Sequence, residues 1–349
     1  MATFRRMLRW WRGPLWLVAL GTGSKSFVDN PIMGSSRLNR AGLHVNRLKF
    51  AHALSWRRRH KLAADVPAPW REQFDRNGFV VVRDFLSPEA FDRVRTALLD
   101  NEWHSRAHEQ GGTLTRRVPI GPDMFRCSPE LQTMLDSARW KGLLAYVAST
   151  RSQPLYYIQT VVGGIAGKEP DPQLEIHSDT FHPSLKAWLF LTDVADDGRP
   201  LTYVPGSHIL TPRRLAWEKE KSCTVVATGD RLSQRGSFRV SPEELPRLGL
   251  PAPMRFAVPA NTLVAVDTYG FHSRADADHP TLRVEIWAYA RRNPFLPWTG
   301  FDPLSLKPFV HRRAQWLMKV VDWLARLGMT KQHWQAVGPR RPGAQEDCD

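Results

Sequence analysis

Two kinds of hydrophobic periodicity divide the chain. From Leu155 onward the apolar residues come in short runs, roughly 155–162, 174–178, 185–194, 201–204, 222–227, 253–258, 262–267 and 282–290, separated by Gly, Pro and Asp turns. No interval carries the regular helix that a parallel crossover demands, so the pattern predicts an antiparallel sandwich or barrel. Ahead of it, Trp70 to Arg76 predicts a short helix ending at Gly78, and Phe79 to Val82 predicts a strand. Ser-Pro-Glu at 87–89 and again at 128–130 opens two helices, running to Leu99 and to about Val147. Serine accepts from the free N–H groups of the first turn, and proline presets φ where its missing N–H costs nothing. The fold class expected is α+β with a mainly β core, decorated in front by helices.

The two ends differ from this middle. Phe4, Met7, Leu8, Trp11 and Leu15 recur at helical spacing, with Arg5, Arg9 and Arg12 on the opposite side. Phe309, Trp316, Leu317, Val320, Val321, Leu324 and Leu327 do the same near the other end, flanked by Arg312, Arg313, Lys319 and Arg326. Of the net charge of +15, about +11 lies in residues 1–68 and about +3 in residues 295–349, leaving about +1 for the rest. Eight of the fourteen tryptophans also lie in these ends. The expected organisation is a basic, Trp-rich extension over 1–68, a catalytic domain over 69–294 and a basic amphipathic segment over 295–349.

A basic helix bearing Trp suits peripheral contact with an anionic membrane surface, because indole favours the headgroup zone and guanidinium favours anionic lipid. The alternative is a helix packed on its own domain, and Trp56 to Lys61 reads as a solvated charge run. No run is long enough to span a bilayer. Three cysteines, Cys127, Cys223 and Cys348, form no paired framework and suit a reducing compartment. The expected location is cytoplasmic, at the inner membrane face. Nothing resembles a nucleic-acid module, so no nucleic-acid partner is expected.

The candidate chemistry starts at Glu175-Ile176-His177-Ser178-Asp179. On a strand, residues two apart share a face, so His177 and Asp179 point the same way. Two such ligands and a distant histidine make the facial triad of non-haem Fe(II) oxygenases, which leaves positions open for co-substrate and oxygen. His272 follows the apolar run 262–266 and a turn at 267–270, and Arg283 stands eleven residues later. A returning strand can bring His272 to the same metal, and the guanidinium can grip the far carboxylate of 2-oxoglutarate.

Here the sequence resembles the phytanoyl-CoA dioxygenase family, from about Phe74 to Ala290. The resemblance is carried by Asn77 to Ser87, His177-Ser178-Asp179, Ala187 to Asp193, Pro205-Gly206-Ser207-His208, and His272 with Arg283. It implies a double-stranded β-helix (a jelly roll of the cupin type) binding Fe(II) and 2-oxoglutarate, and hydroxylation of an unactivated C–H bond with release of succinate and CO2. It also implies that Trp188 and Gln159 neighbour the keto acid. The chain departs from the family at Gly163, where lysine is frequent, and at Arg274, where serine is frequent. The presence of Asp179 disfavours a halogenase. The substrate class expected is small-molecule or lipid-like. The rival reading is a non-catalytic β-sandwich that binds through its basic ends.

Overall fold

The computed structural model describes residues 13–164, 171–227, 230–300 and 302–344. The arginine-flanked apolar pattern of the first twelve residues lies outside them.

Among the described residues, eleven strands form two antiparallel sheets. They are β1 (Phe79–Val82), β2 (Trp103–Gln110), β3 (Thr113–Pro119), β4 (Leu155–Gly163), β5 (Leu185–Phe190), β6 (Leu201–Tyr203), β7 (Met254–Arg255), β8 (Leu263–Asp267), β9 (His272–Arg274), β10 (Thr281–Ala290) and β11 (Gln335–Arg340). The larger sheet runs β1-β8-β5-β10-β4-β3-β2-β11 and the smaller β7-β6-β9. The longer helices are α1 (Gly13–Leu20), α2 (Leu43–Leu62), α3 (Ala68–Asn77), α4 (Pro88–Leu99), α5 (Ala138–Ala148), α6 (Pro212–Thr224) and α7 (Arg313–Arg326).

Period-2 alternation sorts the central strands into two faces. On β10, Val284, Ile286 and Ala288 pack in one core with Leu62, Phe74, Val94, Trp140 and Val147 from the helices. The intervening Trp287 packs in a second core with Trp188, Tyr157, Leu201 and Tyr203, between the two sheets. This is the jelly-roll arrangement, with helices behind the large sheet and the small sheet in front of it.

Several expectations change on contact with the structure. The run at 222–227 is not a strand: α6 extends to Thr224 and turns follow. Thr211 caps that helix, and the buried Arg214–Glu218 pair at 3.0 Å lies one turn apart on it, so local helical support overrides the β-branched residues. The single helix expected from 129 to 147 is two, because Ser137 adopts an extended conformation and caps α5 anew. Strands β2, β3 and β11 were not foreseen; β2 mixes polar and charged residues and is largely solvated.

The charge run at 56–61 is only in part a solvated face: Arg57, His60 and Lys61 are exposed, but Arg58 and Arg59 are each only 1% exposed. The cause is the end of α5, whose last carbonyls lack helical partners. Arg59 donates to the carbonyls of Tyr146 and Val147, and Arg58 donates to that of Ser149. Arg59 Nη2 also donates to Asp267 Oδ2 at 2.9 Å, while Asp267 Oδ1 accepts from the backbone of Ser184 and Tyr269. One buried ion pair therefore ties α2 to the end of β8, just ahead of the turn that leads to His272.

Arg59→Ala leaves Asp267 buried without its cation and should destabilise the fold by about 3–5 kcal/mol in urea denaturation. His182 and His208 are fully buried, and burial, aided by nearby arginines, lowers each to about 3. Both stay neutral when folded and take a proton when unfolded, so stability should fall as pH drops from about 6.5 toward 3. The slope should reach about 1.4 kcal/mol per pH unit for each histidine, read from urea midpoints across a pH series.

Candidate metal centre

The segment carrying His177 and Asp179 is less regular than the strand expected. His177 makes isolated antiparallel bridges to His272 on one side and Arg239 on the other. His177 N–H donates to His272 O and His272 N–H donates to His177 O, both at 2.9 Å. Residues that exchange both backbone hydrogen bonds are directly opposite, with side chains on the same face. The imidazole centroids lie 4.6 Å apart. Asp179 is held by its own N–H, which donates to Thr268 O at 2.9 Å.

The three side chains converge. Their ligand atoms all lie within 4.8 Å of one another, and no other His/Cys/Asp/Glu group of three among the described residues could hold a metal ion. Asp179 Oδ1 stands 3.6 Å from His177 Nε2 and 3.5 Å from His272 Nε2. Each Nδ1 faces a carbonyl, that of Glu175 at 2.7 Å for His177 and that of Gly270 at 2.9 Å for His272. An Nδ1–H donating to a carbonyl leaves the Nε2 lone pair bare, which is how ligating histidines are oriented. His272 Nε2 is buried without a hydrogen-bond partner among the described residues. Donor set, tautomer and orphaned nitrogen all fit a divalent metal.

Electrostatics agree with that fit. Burial lowers His177 to about 4, with His272 adding to the effect, so the ring is a neutral ligand at physiological pH. Burial pushes the Asp179 carboxyl up, but Lys186 and the two imidazoles outweigh it and hold the group well below the usual carboxylate range. Lys186 Nζ sits 2.7 Å from Asp179 Oδ2, and Lys25 Nζ donates to the Asp179 carbonyl. Sequence reading missed both lysines. Lys186 was within reach, because it alternates with Trp188 on β5; Lys25, 154 residues away, left no local signal.

Beside the triad lies a polar cavity of about 200 Å³ whose walls include Arg283, Trp188, Gln159, Lys186, Arg274 and Arg117. The structure thus brings all six sequence-selected residues to one place. Arg283 is buried, donates to Arg199 O at 2.7 Å and stands 3.1 Å from Glu285 Oε2. Gln159 is engaged at both ends, donating to Glu285 Oε1 at 2.7 Å and accepting from Arg117 Nε at 2.8 Å. At the two departures from the family, Arg274 adds a cation to the cavity, paired with Asp171, and Gly163 makes room for Arg199, whose Cδ a Cβ would meet at 2.5 Å. His182, close in sequence, lies outside the triad and packs edge-on against Phe181. His208 is buried beside Phe74 and reaches no ligand atom of the triad.

The fold, the donor set and the polar cavity fit a non-haem Fe(II)- and 2-oxoglutarate-dependent oxygenase. Residues 74–224 match the family described as phytanoyl-CoA dioxygenase (PhyH). His272 and Arg283 lie beyond the matched segment. No curated protein matches the chain. Among solved structures, the chain is similar to the epimerase SnoN in complex with Fe3+, alpha ketoglutarate and nogalamycin RO, at 22% identity, 68% of this chain, 92% of the other and a TM-score of 0.40. It is also similar to the alpha ketoglutarate-dependent carbocyclase SnoK from nogalamycin biosynthesis, at 16% identity, 65% and 84% coverage and a TM-score of 0.39. A third is HygX from Streptomyces hygroscopicus with nickel, 2-oxoglutarate and hygromycin B bound, at 15% identity, 64% and 86% coverage and a TM-score of 0.39.

Asp179→Ala or His272→Ala should weaken Mn(II) binding, measured by calorimetry, by more than the roughly 10–100-fold typical of removing a group that merely supports a ligand. Retained stoichiometric binding in either variant would refute the ligand set.

Proposed function

We propose that the chain hydroxylates a C–H bond of a lipid-like substrate, with Fe(II) held by His177, Asp179 and His272 and 2-oxoglutarate gripped by Arg283. The observation that carries this reading is the meeting of two bare Nε2 atoms and one carboxylate oxygen beside a cavity lined by Arg117, Lys186, Arg274 and Arg283. When bound, the metal and keto acid supply oxygen activation coupled to oxidative decarboxylation, releasing succinate and CO2.

The protein's own groups orient and insulate. Glu285 braces the Arg283 guanidinium, which leaves its charge directed at a dicarboxylic acid from a fixed position. Lys186 neutralises the outer oxygen of Asp179 and keeps the inner one for the metal. Trp188 and Trp287, both buried, narrow the cavity and exclude water. A non-catalytic module binding through its basic ends has no use for these groups in this arrangement.

The lipid-like substrate and the contact with an anionic membrane surface are supported by α7. Trp316, Leu317, Val320, Trp323 and Leu327 are exposed along one side of it, and Arg312, Lys319 and Arg326 form an exposed basic stripe at seven-residue spacing. No helix among the described residues is long and apolar enough to cross a membrane.

Wild-type protein should release succinate from 2-oxoglutarate in the presence of Fe(II), and Asp179→Ala should not. Arg283→Ala should raise the apparent KM for 2-oxoglutarate by roughly thirtyfold or more, the equivalent of about 2 kcal/mol for an abandoned charge partner. No succinate from the wild type would end the proposal. Flotation with anionic liposomes should carry the protein upward, and Trp323→Glu with Leu327→Glu should abolish this; wild-type protein that stays at the bottom removes the membrane contact alone.

A further inference from the structure

The last part of the chain, beyond the residues that resemble the family, reaches the wall of the metal-facing cavity. After α7 the chain turns at Gly328 and comes back to β2, with which β11 pairs antiparallel. Its approach is fixed at Trp334. Arg106 on β2 donates to Trp334 O at 3.1 Å and holds both carboxylate oxygens of Asp322 on α7. Gln332 spans the same corner, donating to Asp322 Oδ1 at 2.6 Å and accepting from Trp334 N–H at 3.0 Å.

The indole so placed covers Arg117. The Arg117 guanidinium carbon stands 3.7 Å from the Trp287 ring centroid and 4.4 Å from that of Trp334, so the cation is held between two ring faces. These three side chains line both the polar cavity and an apolar one of about 360 Å³ beneath α7, and they form the wall between the two. Arg117 on β3 lies opposite Gln159 on β4, which lies opposite Glu285 on β10. Along that row Arg117 Nε donates to Gln159 Oε1 at 2.8 Å, Gln159 Nε2 donates to Glu285 Oε1 at 2.7 Å, and Glu285 Oε2 lies 3.1 Å from Arg283 Nε. A guanidinium only donates, so Gln159 turns its oxygen to Arg117 and its amide N–H to Glu285, which leaves the other carboxylate oxygen for Arg283. Gln159, Glu285 and Arg283 are all buried, and solvent does not stand in for a lost member of the row.

We infer that Trp334 and Arg117 are positioning residues for the co-substrate clamp. The carboxy-terminal segment pins Arg117, and Arg117 fixes the amide of Gln159. That amide and Glu285 then hold the Arg283 guanidinium at the angle that meets the distal carboxylate of a 2-oxo diacid. The clamp role of Arg283 rests on the oxygenase reading above, while the row of contacts from Trp334 to Arg283 stands on the geometry alone. Part of the segment 295–349 thereby belongs to the site.

The test is calorimetric titration of the full chain, loaded with Mn(II), with 2-oxoglutarate. Trp334→Ala and Arg117→Leu should each weaken 2-oxoglutarate roughly tenfold, the loss expected of a charged hydrogen bond out of alignment, and leave Mn(II) affinity within about twofold of wild type. Trp334→Phe, which keeps a ring over the cation, should recover most of the lost affinity. In an Arg283→Ala background, Trp334→Ala should cost nothing further, because it acts through the missing guanidinium. Arg117→Leu stands in there if Trp334→Ala does not fold. Unchanged 2-oxoglutarate affinity in both variants, an equal loss of Mn(II) affinity, or the same loss repeated in the Arg283→Ala background would each overturn the inference. Wild-type protein that binds Mn(II) but not 2-oxoglutarate contradicts the oxygenase reading and this inference together, whereas wild-type binding that both variants retain contradicts the inference alone.

Discussion

The site depends on one pair of backbone hydrogen bonds, those exchanged between His177 and His272. The two residues stand 95 positions apart in the chain, yet the bridge sets their side chains on one face at a separation that a single ion can span. Neither histidine is positioned by a helix or by a long strand. Each is further fixed by a carbonyl two residues before it, which receives Nδ1 and turns Nε2 inward. The turn at 267–270 that leads to His272 is held by the buried Arg59–Asp267 pair together with Thr268 N–H donating to Ser184 O and Tyr203 Oη donating to Asp267 O. A charge near the end of α2 thus helps support a site that its sequence position gives no hint of.

The same face of the large sheet carries a gradient of chemistry. Arg283 and Gln159 line the polar cavity, and the next two rows, Trp287 with Tyr157 and Tyr289 with Leu155, line an apolar one. Such a division follows from period-2 alternation on β4 and β10 with no insertion or domain between the two halves. The roof of the apolar half is α7, a helix whose outward side is itself apolar and bordered by basic residues.

Much of this was legible in the sequence, for physical reasons that differ by region. Strands β4, β5, β8 and β10 announce themselves because they are nearly continuous apolar runs between turn residues. His177, Asp179, His272 and Arg283 stood out as candidates because metal and carboxylate chemistry restrict residue type severely. What could not be read was long-range satisfaction of polar groups. Arg58 and Arg59 look like a solvated run until the open carbonyls at the end of α5 are brought to them. Strand β2 is polar and only partly buried, and β11 is short and mostly exposed, so no periodic signal marks them. The 222–227 segment misled because Thr-Val-Val favours a strand locally, whereas the cap at Thr211 and the buried Arg214–Glu218 pair favour helix from further back.

The most direct measurement is anomalous diffraction from crystals grown with Mn(II) and 2-oxoglutarate. The account predicts one strong metal peak bonded to Nε2 of His177, Nε2 of His272 and Oδ1 of Asp179, with the distal carboxylate of the keto acid against Arg283. A peak elsewhere, or a metal at 177 and 179 with the ring of His272 turned away, would contradict it.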